Sequence, residues 1–415
     1  MQEASVEKAK FTKYQIFIIV VLAILQFSVV LDFMILSPLG YILMPELKID
    51  TAQFGWVVSA YAFSAFASGL LAAGFADKFD RKKLLLFFYA GFIGGTLLCG
   101  IADTYSFLLF ARVVTGLFGG VIASIVMSIV TDMFQLQVRG RVMGLIQMAF
   151  AASQVLGIPA GLFLAGRWNW HFPFIMIVVI SALLFAVLAF YLKPIDGHLK
   201  IKTDKNAFMH LLHVVSRTRY LKAFAATTLL ATGGYMLMPF GSDYAVHNLG
   251  LDEKNELPLL YLYTGVATIF VMPLAGFLSD KVGKYKVFFV GSVLSIGMLL
   301  IYCNLDVTPF VWIVVLNIVL FIGIMSRIAP AQALMSAIPE PQDRGAFMSV
   351  NSSIQQLSGG ISSIIAGLIV IKMPNKSLGN YDVLGYVVTG AIIITLVLMY
   401  VVHKMVQKTE KPSVN

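Results

Sequence analysis

Charge is scarce in this sequence. Asp, Glu, Lys and Arg make up 12% of its 415 residues, about half the share found in a soluble domain. Thirty basic and 21 acidic side chains cannot coat a soluble protein of this length. Cysteine is nearly absent: Cys99 and Cys303 each stand inside an apolar run, which fits small packing residues rather than a disulfide. No Gly-x-x-x-x-Gly-Lys-Ser/Thr loop occurs to cradle ATP, and no His-Glu-x-x-His or cysteine cluster to hold a metal. The expectation is no enzyme, no metal and no cofactor.

Hydrophobic residues fill 59% of the chain and fall in blocks of about 20 or more, the length that crosses a ~30 Å hydrocarbon core. Only helices and closed barrels satisfy their backbone in lipid, and unbroken apolar runs mean helices. The expected fold is an all-α membrane protein of twelve transmembrane helices. The first six spans are Gln15–Met44, Gly55–Ala76, Leu84–Ile101, Phe107–Phe134, Val142–Gly166 and Phe172–Leu192. The second six are Ala223–Asn248, Leu259–Leu278, Val287–Leu305, Phe310–Ile338, Ala346–Lys372 and Tyr386–His403. The first is too long for a signal peptide and no small-residue cleavage site follows it, so it is expected to be retained.

The net charge of +9 is explained by position and calls for no nucleic acid. With both termini inside, Lys48, Arg167, Lys254, Lys372 and Lys376 face outward and Arg112 and Arg327 sit within spans. The remaining 23 of 30 basic residues are then cytoplasmic. The positive-inside rule fixes that orientation, as expected of a multi-pass protein of a bacterial inner membrane. All four tryptophans (Trp56, Trp168, Trp170, Trp312) fall at outer span ends, as an interfacial belt in a lipid bilayer requires.

The stretch 193–222 carries seven Lys or Arg against two Asp and divides the spans six from six. It reads as a linker with basic anchors, although Phe208–Val215 has enough apolar character for a short amphipathic surface helix. The expected organisation is a bundle over residues 1–192, a cytoplasmic loop over 193–222 and a second bundle over 223–415. The two parts are related. Asp77-Lys78-x-Asp80-Arg81 recurs as Asp280-Lys281-x-Gly283-Lys284 at a shift of 203, and Arg139-Gly140-x-x-Met143 as Arg344-Gly345-x-x-Met348 at a shift of 205. Two motifs in the same topological slots at nearly one shift point to an internal repeat. Parallel six-helix repeats place a substrate site near the bilayer midplane between them.

On these motifs the chain resembles the major facilitator superfamily over essentially its whole length, and most of all its bacterial proton-coupled drug and sugar efflux branch. That family's loop signature, Gly-x-x-x-Asp-Arg/Lys-x-Gly-Arg-Arg/Lys, is matched from Gly276 through Asp280 and Gly283 to Lys284. In the first copy Ala73 and Asp80 replace glycines, while Asp77, Arg81 and Lys82 keep the charges. Arg112 with Gly116 and Gly120 resembles the family's second motif. Gly157-Ile158-Pro159-Ala160-Gly161 and the following Trp168–Phe174 segment resemble the sugar, arabinose-type and nucleoside efflux permeases. Multidrug antiporters usually place Gly and Pro side by side, so the resemblance favours the sugar-efflux-like group. It implies two pseudo-symmetric six-helix bundles around a central cavity, and a monomer is expected.

Charges inside the bilayer need an explanation. Asp32 in the first span, with Ser28 one turn away on the same face, and Arg112 in the fourth lie at similar depth. The resemblance sets those two helices side by side. Desolvation favours the protonated acid and the guanidinium favours the carboxylate, a balance that substrate could tip. The pair is therefore the expected proton-coupling site, against the alternative of a static structural pair. Arg327 either lines the cavity or bonds helix carbonyls as a structural residue. Asp243 and His247 near an outer helix end read as an exposed gate or as hydrated groups. Polar stripes mark a shared substrate cavity: Tyr61, Ser64 and Ser68; Gln147 and Gln154; Thr228, Thr232 and Tyr235; Ser352, Gln356 and Ser363.

Gly116 and Gly120, like Gly157 and Gly161, are small-xxx-small pairs that permit close helix approach, and Pro159 should bend its helix. The resemblance also implies a conformational latch built on Asp77, Arg81, Lys82 and Asp132, echoed by Asp280 and Lys284; a solvated basic loop is the alternative. The expected function is a secondary transporter, a proton-coupled antiporter that exports a small organic solute by alternating access. A symporter or facilitator for a sugar or metabolite is the rival within transport, and a transport-dead receptor or scaffold the rival outside it.

Overall fold

The computed structural model describes residues 11–75, 79–200, 213–340 and 343–410. Helix α1 (Lys13–Ile35) starts at a capping box. The Thr12 hydroxyl accepts the Gln15 N–H at 3.2 Å, and the Gln15 side chain accepts the Thr12 N–H at 2.9 Å. The first span was expected to run to Met44, but it stops at Ile35 and a separate short helix, α2 (Gly40–Leu47), follows. Pro38 accounts for the break, because its ring clashes with the carbonyl four residues back and it has no N–H to donate.

Then come α3 (Thr51–Phe75), α4 (Arg81–Gly100) and α5 (Tyr105–Met133). The Asp80 carboxylate caps α4 by accepting the N–H groups of Lys82 and Lys83 at 2.7 and 3.1 Å. The fifth span is interrupted: α6 (Leu136–Ala152) and α7 (Ile158–Arg167) flank a π turn over Ser153–Gly157. Pro159 sits just after that turn and cannot donate to the preceding turn, so the ladder slips by one residue there. Helix α8 (Phe172–Tyr191) completes the first six spans.

The second six open with α9 (Thr218–Leu237), which passes through a tight turn at Pro239 into α10 (Gly241–His247). Helices α11 (Glu256–Val282) and α12 (Lys284–Tyr302) are separated only by Gly283, whose φ of +112° suits glycine alone. Helices α13 (Phe310–Ser336), α14 (Arg344–Ile369) and α15 (Tyr381–Glu410) follow. A two-residue antiparallel hairpin, β1 (Ile371–Lys372) with β2 (Leu378–Gly379), links the last two.

Among the described residues, eleven spans are long and apolar enough to cross a membrane, the broken fifth and seventh each counted once. Helix α14 fills the twelfth position. Its 26 residues reach ~39 Å, but it is rich in Ser, Asn and Gln. The start of α1 and the end of α15 lie on one face, here the terminal face; the α2 and β1–β2 segments lie on the other, the distal face.

Small residues set the packing. A Cβ at Gly116 would run into Ser64 and Tyr61, and one at Gly120 would come within 2.5 Å of Ala65, so α5 lies hard against α3. Gly157 and Gly161 likewise admit Leu31 and Ile35 of α1. The two sets of six spans meet along α3 and α14. The Ser59 hydroxyl donates to the Gly360 carbonyl at 2.7 Å, and the Thr51 hydroxyl to that of Val370 at 2.6 Å. They meet again where α11 approaches the π turn, so closely that a Cβ at Gly265 would stand 3.0 Å from the Val155 nitrogen.

Candidate functional site

Asp32 lies ~29 Å along α1 from the terminal face, and Arg112 ~10 Å into α5 from the distal face, so the two sit level. The structure joins them. Arg112 Nη1 is 2.9 Å from Asp32 Oδ2, and both side chains are fully buried. The same nitrogen lies 3.4 Å from the Asp32 carbonyl, and the Thr96 hydroxyl of α4 donates to Oδ1 at 3.0 Å. Tyr61 of α3 lays its ring 4.7 Å from the guanidinium carbon. Arg112 Nε and Nη2 find no hydrogen-bond partner among the described residues. Withdrawing two charges from water costs several kcal/mol per ion, and removing one partner strands the other. A proton arriving on Asp32 therefore changes the state of the whole cluster.

Thr96 was not anticipated, since a lone hydroxyl in an apolar helix carries no periodic signal. Ser28 was placed beside Asp32 by helical spacing, but it turns to α4, its hydroxyl 3.0 Å from that of Tyr89. From Arg112 a row of rings crosses between the two sets of spans. Tyr61 packs on Phe33 at 5.3 Å between centroids, and Phe33 on Tyr235 of α9 at 5.8 Å. Tyr235 lies over Gly359 of α14, where a Cβ would stand 2.8 Å from the ring.

The other polar stripes divide. Ser64, Ser68, Thr228 and Thr232 donate to carbonyls of their own helices. Ser363 reaches the Tyr235 carbonyl at 3.2 Å. Gln154 is buried in the π turn and its Oε1 has no hydrogen-bond partner among the described residues, whereas Gln356 is half-buried and Ser352 exposed. Gln147 lines a cavity of about 50 Å³ with Gln26, Met127, Met143 and Ile146, between α1, α5 and α6. Gln26 is a cavity residue the stripes did not single out. Thr227 and Asn351, joined at 2.6 Å, were also missed.

Arg327 turns into the packing of the last six spans: its Nε donates to the Ser292 hydroxyl of α12 at 3.1 Å, and its guanidinium carbon lies 5.6 Å from the Phe288 ring centroid.

On the terminal face Arg81 Nε is 3.1 Å from Asp132 Oδ2, with side chains 6% and 23% exposed. Asp77 lies outside the described residues, as does most of the expected amphipathic stretch 208–215. Lys82 donates instead to the Ala189 carbonyl at the end of α8, at 2.8 Å. Asp280 and Lys284 form no ion pair among the described residues. The repeat explains why: the residue 204 positions after Asp132 is Ser336, which offers no charge. The last six spans hold their ion pairs elsewhere. Arg217 Nη1 lies 2.8 Å from Glu340 and 3.3 Å from Asp343, and the Tyr220 hydroxyl donates to Asp343 at 2.8 Å. Desolvation and these two carboxylates act oppositely on Arg217, and its pKa is raised.

On the distal face Asp243 is buried rather than exposed. It accepts Lys372 Nζ at 2.5 and 2.6 Å and lies 2.5 Å from His247 Nδ1. Asn248 adds a paired contact with the Leu378 backbone at 2.9 and 2.8 Å. This cluster pins α10 to the β1–β2 hairpin.

A profile of the Major Facilitator Superfamily matches residues 22–363 and 223–414. An uncharacterized MFS-type transporter of Bacillus subtilis (strain 168), YceJ, is 25% identical over 382 residues, covering 92% of this chain and 94% of that protein. Multidrug resistance protein 3 of the same organism is 33% identical over 153 residues, 37% of this chain and 30% of that one. Among solved structures, a bacterial homolog to the human lysosomal transporter Spinster, inward-facing and occupied, shares the fold. Its TM-score is 0.72 at 15% identity, over 97% of this chain and 98% of that one.

Proposed function

The chain belongs to the major facilitator superfamily, and from that premise we propose that it is a proton-coupled efflux permease for a small organic solute. The fully buried Asp32–Arg112 pair carries this reading. Asp32 takes up and releases the coupling proton, Arg112 sets the balance between its two states, and Thr96 orients the carboxylate. Solute enters between the two sets of spans from the terminal, cytoplasmic face. As that side opens, the small cavity within the first six spans, with Gln26, Gln147, Met127 and Met143 in its wall, supplies hydrogen bonds and adaptable apolar contact. The ring row Tyr61–Phe33–Tyr235 lies between that entrance and the distal side, so occupancy and the state of the pair are felt by the same side chains. Residues 1–192 and 223–415 rock as two bundles, in a monomer held in a bacterial inner membrane. Resemblance to a multidrug resistance protein supports export over import.

The test is solute flux in proteoliposomes under an imposed pH gradient. Asp32→Asn mimics the protonated acid, so uphill efflux should disappear while downhill exchange survives. Unchanged pH-driven uphill transport in Asp32→Asn would move the coupling site elsewhere.

A further inference from the structure

We propose that the outer groove between α12 and α15 is a binding site for one phospholipid with an anionic headgroup. The groove has a volume of about 420 Å³ and is lined by Tyr285, Phe289, Ile393, Leu396, Val397 and Tyr400. It faces away from the other helices: Val397 is 61% exposed, Ile393 51% and Phe289 47%. In a membrane those side chains meet acyl chains.

Depth along the helices gives the groove a direction. Ile393 lies ~18 Å along α15 from the distal face and Tyr400 ~29 Å, while Tyr285 and Phe289 occupy the first turns of α12. The groove thus runs from mid-bilayer to the terminal face and spans a single leaflet. An acyl chain laid in it meets apolar wall throughout.

The rim at the terminal face has a different character. Lys404 holds its ammonium 4.7 Å from the Tyr400 ring centroid. Tyr285 packs on Tyr400 at 5.3 Å and on the His403 ring at 5.5 Å. Lys284 and Lys286 lie on the adjoining turn of α12, and neither helix carries an acidic residue over 284–300 or 386–407. Lys404 and Lys286 form no ion pair among the described residues. A cation over an aromatic face keeps its charge and remains available to an anion. Basic side chains between helices at membrane-surface depth, above an apolar groove, match an anionic headgroup joined to acyl chains.

The test uses the full-length protein in neutral detergent, titrated with phosphatidylglycerol or with phosphatidylcholine of the same chains. Bound lipid is counted by native mass spectrometry. The wild type should retain one phosphatidylglycerol in preference to phosphatidylcholine. Lys404→Gln should weaken phosphatidylglycerol about five-fold, the worth of one basic residue near the surface, and leave phosphatidylcholine unchanged. Val397→Trp fills the groove from a lipid-facing position and should remove the retained lipid. Equal retention of the two lipids by the wild type would overturn the proposal, as would a phosphatidylglycerol preference untouched by Lys404→Gln or by Val397→Trp.

Discussion

Asp32, Arg112 and Thr96 come from three helices and meet fully buried, so replacing any one of them should carry a cost. Arg112→Ala strands a buried acid and should cost about 3–5 kcal/mol in stability. Asp32→Asn strands the guanidinium, which unlike the acid cannot shed its charge, so it should cost a similar amount. Thermal unfolding in detergent should place both variants well below the wild type. Thr96→Val leaves Oδ1 without its donor, at about 1–3 kcal/mol. If solute binding expels the Asp32 proton, the bound state holds fewer protons than the free state, and raising pH must tighten solute binding. That slope should be absent in Asp32→Asn and displaced in Thr96→Val; a slope kept in Asp32→Asn would exclude this carboxylate. The two charges were legible because ionisable residues inside apolar runs stand out. Thr96 was not, since partners drawn from a neighbouring helix leave no trace in spacing along their own.

At the scale of helices, the apolar runs located the spans, and the breaks within them followed local chemistry that hydropathy averages away. Pro38 ends α1 nine residues before the expected Met44, and Pro159 turns part of the fifth span into a π turn. The terminal-face motifs were legible as repeats, but the repeat overstated their equivalence. Arg81 finds Asp132, whereas the second copy meets Ser336, and the last six spans anchor α9 through Arg217 instead. Arg81 and Asp132 should therefore behave as one unit. Arg81→Ala and Asp132→Ala should each impair transport without preventing insertion, and the double variant should fall short of additivity by about 0.5–3 kcal/mol equivalent in flux. Fully additive losses would show two independent residues.

For the molecule as a whole, the distribution of basic residues remains the strongest guide to orientation. A reporter placed within 193–222 and another after Asn415 should both read cytoplasmic, given 23 basic residues on that side against five on the other. A periplasmic signal at either site would require a different number of crossings. Helix α14 has a further consequence, for biogenesis. It is the most polar crossing element, and it packs closely along α3, a helix synthesised some 300 residues earlier. The Ser59 and Thr51 hydroxyls of α3 donate to the Gly360 and Val370 carbonyls, while Asn351 and Ser363 of α14 turn to Thr227 and Tyr235 of α9. A segment that partitions poorly into lipid on its own has to wait at the insertion machinery until a partner shields it. Expressed alone, residues 223–415 should leave α14 outside the bilayer, and a reporter after α15 should then appear on the opposite side of the membrane. Coexpression of residues 1–222 should restore it. If so, the order in which this chain enters the membrane depends on a contact that only the finished protein displays.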